Sequence, residues 1–215
     1  HRGRKQSPPR ILIYGTEGIG KSTFASQAPA PIFVPTEDGL DQIDCARFPL
    51  SKSLDDVDAA LKTLVREQHD FRTVVIDSLD QLERLIWDDV CKKYGVTSIE
   101  RADGGYGRGY VQALSSWRQI IDLLTTLRDA QSIGVIMIAH AKIEKFEDPE
   151  RSAYDRYSPR LHKLASAMIF EWCDAVLFAA PKIVTKTEDS GFGRERIIAT
   201  TTGKDGGERI LRAVG

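Results

Sequence analysis

Cysteine and histidine are scarce in this 215-residue chain and do not cluster. Cys45, Cys91 and Cys173 form no CxxC, and His1, His69, His140 and His162 have no ligand spacing, which argues against a structural zinc site. An odd cysteine count with no signal peptide fits a reducing compartment, so the expected location is the cytoplasm. Long apolar runs are missing too: the longest, Ile133 to Ala139, is far short of the roughly 20 residues a spanning helix needs, and no membrane partner is expected. Net charge is almost absent, 30 basic against 31 acidic residues giving -1, so a nucleic-acid surface, if present, must be local. There is no internal repeat and no low-complexity tract.

What is present suits a globular chain: 41% hydrophobic and 28% charged residues, enough for a sizeable core. Residues 1–9 read as a flexible basic lead-in and 10–215 as a single domain. Ile11 to Tyr14, Ile32 to Val34, Thr73 to Ile76 and Ile133 to Ala139 are short apolar runs typical of buried strands. Helical spacing separates them: Lys21 to Gln27; Leu54 to Val65 behind a Ser53/Asp56 capping pair; Leu79 to Val90, closed by Gly95; and Val111 to Leu127. From about Asp174 the chain looks strand-rich. The pattern predicts an α/β fold, a mostly parallel sheet flanked by helices on both faces with later strands adding an antiparallel edge. In such sheets ligands sit beyond the carboxyl ends of the strands.

Gly15-Thr16-Glu17-Gly18-Ile19-Gly20-Lys21-Ser22 fits GxxxxGK[ST], between a strand and a helix. Glycines let backbone N–H groups turn inward around phosphate oxygens, and the helix start adds a positive dipole end. Residues 15–23, through Thr23, are the expected nucleotide cradle, with Lys21 neutralising the β and γ phosphates of ATP and Ser22 coordinating Mg2+. Thr73-Val74-Val75-Ile76-Asp77 presents a second metal-side group, Asp77, although a carboxylate there can also cap the next helix. No glutamate follows Asp77; Ser78 stands there, so the base that activates water must come from elsewhere. Glu37, at the end of the second strand, can reach that position, unless it is only a turn residue in Thr36-Glu37-Asp38-Gly39.

The order of these pieces, phosphate loop, Thr-Glu-Asp-Gly, Ile-Asp-Ser, Gly-Arg-Gly before a long helix, and a strand ending in a polar residue, resembles the RecA/RadA recombinase core. It is most similar to the core-only ATPases that bacteriophages encode as single-strand annealing or recombination proteins, which places it in the bacterial host's cytoplasm. The resemblance implies ATP hydrolysis stimulated by DNA, with Lys21, Glu37, Asp77 and His140 catalytic. Glu37 matches the water-activating glutamate; His140 falls where recombinases usually have a glutamine that senses the γ phosphate, unless it merely packs at a strand end.

The resemblance also implies two DNA segments. One is Gly104 to Tyr110, with Tyr106, Arg108 and Tyr110 offering stacking and charge. The other follows His140, where residues 142–163 hold Lys142, Lys145, Arg151, Arg156, Arg160 and Lys163 among five acids. The same mixture suits a solvated loop. Single-stranded DNA, a single-strand-binding protein and further copies in a ring or filament are the implied partners, a neighbour completing the site through one of Lys182, Arg194, Arg196, Lys204 and Arg209. Two other functions use the same loop: a small-molecule kinase with 142–163 as its lid, and a replication-complex partner that binds nucleotide without turnover.

Overall fold

The computed structural model describes residues 7–147, 152–189, 195–201 and 207–214, with 185–189 and 195–201 through the backbone alone. The apolar runs form β1 (Arg10–Gly15), β2 (Pro31–Pro35), β4 (Thr73–Asp77) and β5 (Gly134–Phe146), with β3 (Ala46–Arg47) on one flank and β7 (Ala175–Pro181) and β10 (Arg209–Ala213) on the other. Their order is β10-β7-β1-β5-β4-β2-β3, parallel throughout except for β10 against β7. Each run is apolar on both pleats because both faces are covered. Leu12, Val74, Ile76, Val135 and Met137 face a core shared with α2 (Leu54–Arg66), α3 (Leu79–Tyr94), α4 (Arg108–Gln131) and α5 (Lys163–Trp172). Ile13, Phe33, Val75 and Ile138 face the side of α1 (Lys21–Ser26). The parallel register brings the carboxyl ends of β1, β2, β4 and β5 to one edge.

The helix boundaries have local causes. Ser53 accepts from the Asp56 N–H at 3.2 Å, and Asp56 accepts from the Ser53 N–H at 2.9 Å, a complete capping box for α2. Gly95, at φ 64, ends α3 in the left-handed conformation that glycine adopts without strain. Ser53→Ala is expected to cost about 1 kcal/mol, a fall in Tm of about 2–4 °C for a chain of this size. An unchanged midpoint in thermal unfolding would show that the box contributes nothing.

Three features differ from the sequence expectation. β5 does not stop at His140 but runs on to Phe146, and residues 141–146 pair antiparallel with β6 (Tyr154–Pro159). The segment read as a mixed-charge loop is therefore a hairpin over much of its length. Its charges are cross-strand pairs, Glu144 opposite Arg156 at 3.1 Å, and its aromatics meet likewise, Phe146 against Tyr154 at 5.5 Å. Second, α5 follows the hairpin, burying Ala165 and Ile169 four residues apart. Third, β8 (Ile183–Asp189) and β9 (Glu195–Thr201) leave the main sheet as a two-stranded antiparallel ribbon. Among the described residues no helix is long and apolar enough to cross a membrane.

Candidate nucleotide site

The phosphate loop leaves β1 at Gly15, where a Cβ would run into the Ala179 carbonyl of β7, so only glycine lets the two strands stay paired there. Gly18 (φ 70) and Gly20 (φ 94) take left-handed conformations. Lys21 opens α1 with its side chain folded back, Nζ donating to the carbonyls of Thr16 at 3.0 Å and Gly15 at 3.2 Å. Burial holds its pKa below the usual lysine value, against the opposing pull of Asp77, Glu37 and Asp80. A cation already desolvated and aimed into the loop interacts strongly with any anion that enters.

Ser22 and Asp77 come together across the sheet edge, Ser22 Oγ donating to Asp77 Oδ2 at 2.6 Å. The other carboxylate oxygen, Oδ1, is buried without a hydrogen-bond partner, and burial pushes the Asp77 pKa up to about 6. A buried orphan acceptor on a carboxylate beside a serine hydroxyl fits a hard divalent cation, whose charge and water shell would relieve both conditions.

Glu37 is aimed by a knot between two strand ends. Thr36 Oγ1 donates to the Ser78 carbonyl at 2.6 Å and accepts from the Ser78 N–H at 2.8 Å, while the Thr36 N–H donates to the Asp77 carbonyl at 2.7 Å. From this frame Ser78 Oγ donates to Glu37 Oε2 at 2.7 Å. The serine that displaced the expected glutamate after Asp77 thus orients the glutamate that arrives from β2. The Asp77–Ser78 peptide is cis.

His140 lies on β5, between the phosphate-loop strand and the Asp77 strand, its Nδ1 3.9 Å from Glu37 and 2.9 Å from Asp80. The Asp80 hydrogen bond raises the His140 pKa, burial opposes it, and Glu37 adds to the rise. Burial works to raise the Asp80 pKa, but its bonds from the His140 ring and backbone outweigh that and hold it low. Sequence alone does not single out Asp80, since an acid in the first turn of a helix is accounted for by the macrodipole. Nor does it single out Glu83, one turn further along α3. It is buried, its pKa raised to about 7 by desolvation, and it accepts the His162 N–H at 2.9 Å.

The two DNA segments expected from the resemblance meet through this second acid's neighbour. Tyr110 stacks on the His162 ring at 4.0 Å and meets Trp87 edge-on, so it packs inward rather than offering a face to a base. Tyr106 is fully exposed, at φ 53, and Arg108 is exposed with no ion pair among the described residues. On the hairpin, Lys142 Nζ donates to the Leu161 carbonyl at 2.7 Å, Lys145 is exposed beside Glu147, and Arg156 lies 4.0 Å over the Phe146 ring. Arg160 points back to the phosphate loop, 3.5 Å from Glu17, and its N–H donates to the His140 carbonyl at 2.7 Å. Arg151 lies outside the described residues, as do Arg194 and Lys204, and Arg196 is described by its backbone alone. Arg209, considered above for action on a neighbour, donates to the Ile19 carbonyl of its own phosphate loop at 3.2 Å, and Lys182 pairs with Glu208 at 2.6 Å.

A glycine loop closing on Lys21 and Ser22, faced by an aspartate two strands away and a polar residue on the strand between, defines a P-loop nucleotide-binding core. The chain belongs to the AAA domain family AAA_24, whose model matches residues 7–210. It is similar to the SPbeta prophage-derived uncharacterized protein YorG of Bacillus subtilis (strain 168), 26% identical over 172 residues, which are 78% of this chain and 49% of that protein. The chain therefore spans about half the length of this curated relative. Among solved structures it is similar to the crystal structure of the RadB recombinase, with a TM-score of 0.48 and 16% identity, covering 90% of this chain and 87% of that one.

Proposed function

We propose that this protein binds ATP with Mg2+ in the Gly15–Thr23 loop, hydrolyses it, and uses the cycle to bind single-stranded DNA and promote annealing or strand pairing. Residues 15–20 offer backbone donors to the phosphates, Lys21 neutralises them, and Ser22 and Asp77 hold the cation, which supplies charge neutralisation for the leaving oxygens. Glu37, fixed by Ser78, aligns a water and takes its proton, and His140 meets the terminal phosphate. One observation supports the coupling above others: the strand that carries His140 continues without a break into the hairpin that carries Lys142, Lys145 and Arg156. A small change at the phosphate can therefore be passed along a rigid element to a cationic surface. Tyr106 and Arg108 form the second part of that surface and Arg160 links it to the phosphate loop. The working form in this reading is a homo-oligomer, a ring or filament, that acts beside a single-strand-binding protein.

The test is ATP hydrolysis at low salt with and without single strands, while annealing of complementary strands is followed in the same mixture. Stimulation of several-fold and ATP-dependent annealing are expected. Hydrolysis indifferent to every single strand, with or without a single-strand-binding protein, removes the DNA half of the proposal. Strict dependence on a nucleoside or nucleotide acceptor points to a kinase, and binding without turnover to a nucleotide-dependent partner.

A further inference from the structure

Asp80 is turned toward one residue, His140, whose ring and backbone both donate to it. Its side chain is only 5% exposed, and its two oxygens face two donors of that residue: His140 Nδ1, shared between them at 2.9 and 3.1 Å, and the His140 backbone N–H at 3.0 Å. The backbone bond has a topological cause. The ladder between β4 and β5 ends at Asp77 opposite Ile138, because β4 gives way to α3 there. The N–H of His140 is left beyond the end of that ladder, and Asp80, in the first turn of α3, takes the missing acceptor's place. The ring bond has a chemical consequence. An ionised carboxylate only accepts, so Nδ1 must carry the hydrogen in every charge state of the ring.

The geometry points to Asp80 as the positioning residue that makes His140 a one-ended phosphate reader: with Nδ1 and the backbone N–H both held, Nε2 alone meets the γ phosphate, and it can donate only as imidazolium. This rests on the reading above that His140 faces that phosphate. In the neutral ring Nε2 presents a lone pair, which repels a phosphate oxygen. A glutamine amide donates at any pH; a histidine tied at Nδ1 donates only while it holds its second proton. The charged groups around the ring are Asp80 on α3, Glu37 beyond β2, Lys21 on α1 and Asp77 on β4. Asp80 and Glu37 favour the cation, and Lys21 opposes it.

Two measurements on the full chain test this. Nitrogen NMR of the His140 ring should show Nδ1 protonated throughout and Nε2 titrating. Asp80→Asn, which keeps one acceptor oxygen but loses the charge, should lower the midpoint and weaken the Nδ1 preference, and Asp80→Glu, which keeps the charge, should retain most of the elevation. In steady-state ATP hydrolysis the wild type should lose activity on the alkaline side as the ring loses its proton. Asp80→Asn should shift that limb down by about one pH unit, about a tenfold loss on the limb, with a far smaller loss in mild acid. His140→Gln should have no such limb, and Asp80→Asn added to it should create none. A wild-type neutral ring protonated at Nε2 overturns the proposal without any variant. So does an Asp80→Asn protein whose activity falls equally at every pH. A wild type that hydrolyses no ATP defeats the functional reading instead, while the ring spectrum still decides whether Asp80 fixes the tautomer.

Discussion

Glu37→Gln is expected to lower ATP turnover by about 10²–10⁴-fold, the usual contribution of a positioned general base, while leaving nucleotide affinity within about threefold, since glutamine removes a proton acceptor but no phosphate contact. Glutamine keeps the volume and still offers an oxygen to Ser78 Oγ, now 2.7 Å from Glu37 Oε2, so the knot of Thr36 and Ser78 should survive. What is lost is the negative charge that polarises water and accepts its proton. The other two carboxylates of the site are committed elsewhere. Asp77 receives Ser22 on the phosphate-loop side, and Asp80 is held by the ring and backbone N–H groups of His140. Calorimetric titration with ATP and phosphate release under excess nucleotide separate the two effects. Normal turnover in Glu37→Gln would mean that water is activated by a group other than Glu37.

The sequence was most legible where one physical constraint acts locally. The phosphate loop is set by glycine stereochemistry: of the two glycines that take positive φ within it, Gly20 is a fixed position of the motif and Gly18 fills one of its open positions. The β1, β2 and β4 runs are apolar on both pleats because helices cover both faces, and the Ser53/Asp56 pair marks the start of α2 to the residue. Legibility fell where the constraint is non-local. The hairpin after His140 is held by register: Ile143 opposite Tyr157, Glu144 opposite Arg156, Phe146 opposite Tyr154. A linear reading of the same residues sees charges of both signs and infers a loop. Asp80 was illegible for a related reason, since its partner lies 60 residues away and becomes visible only once β4 is known to end opposite Ile138. Ser78 was read as an absence, a missing glutamate, when its hydroxyl is what aims Glu37.

Lys21→Ala should abolish ATP turnover and weaken nucleotide binding by about 30- to several-thousand-fold, as expected when a buried charge that pairs with an anion is truncated, a loss of about 2–5 kcal/mol. The stability of the free protein should respond in the opposite sense to intuition. Lys21 is buried and its pKa is depressed chiefly by desolvation, so without an anion its charge is a burden on the fold that its two carbonyl bonds only partly offset. Alanine removes the burden along with the bonds, and Tm without nucleotide should stay within about 3 °C of wild type. With millimolar ATP and Mg2+ the wild type should gain stability by mass action, and the variant should gain almost none. Thermal unfolding of both proteins with and without nucleotide therefore isolates the ligand contact from the packing. An equal nucleotide-dependent rise in the two would mean that Lys21 does not touch the phosphates. A large fall in the variant's Tm without nucleotide would mean that the ammonium stabilises the loop even when no anion is bound, and that its desolvation is outweighed by Asp77, Glu37 and Asp80 around it.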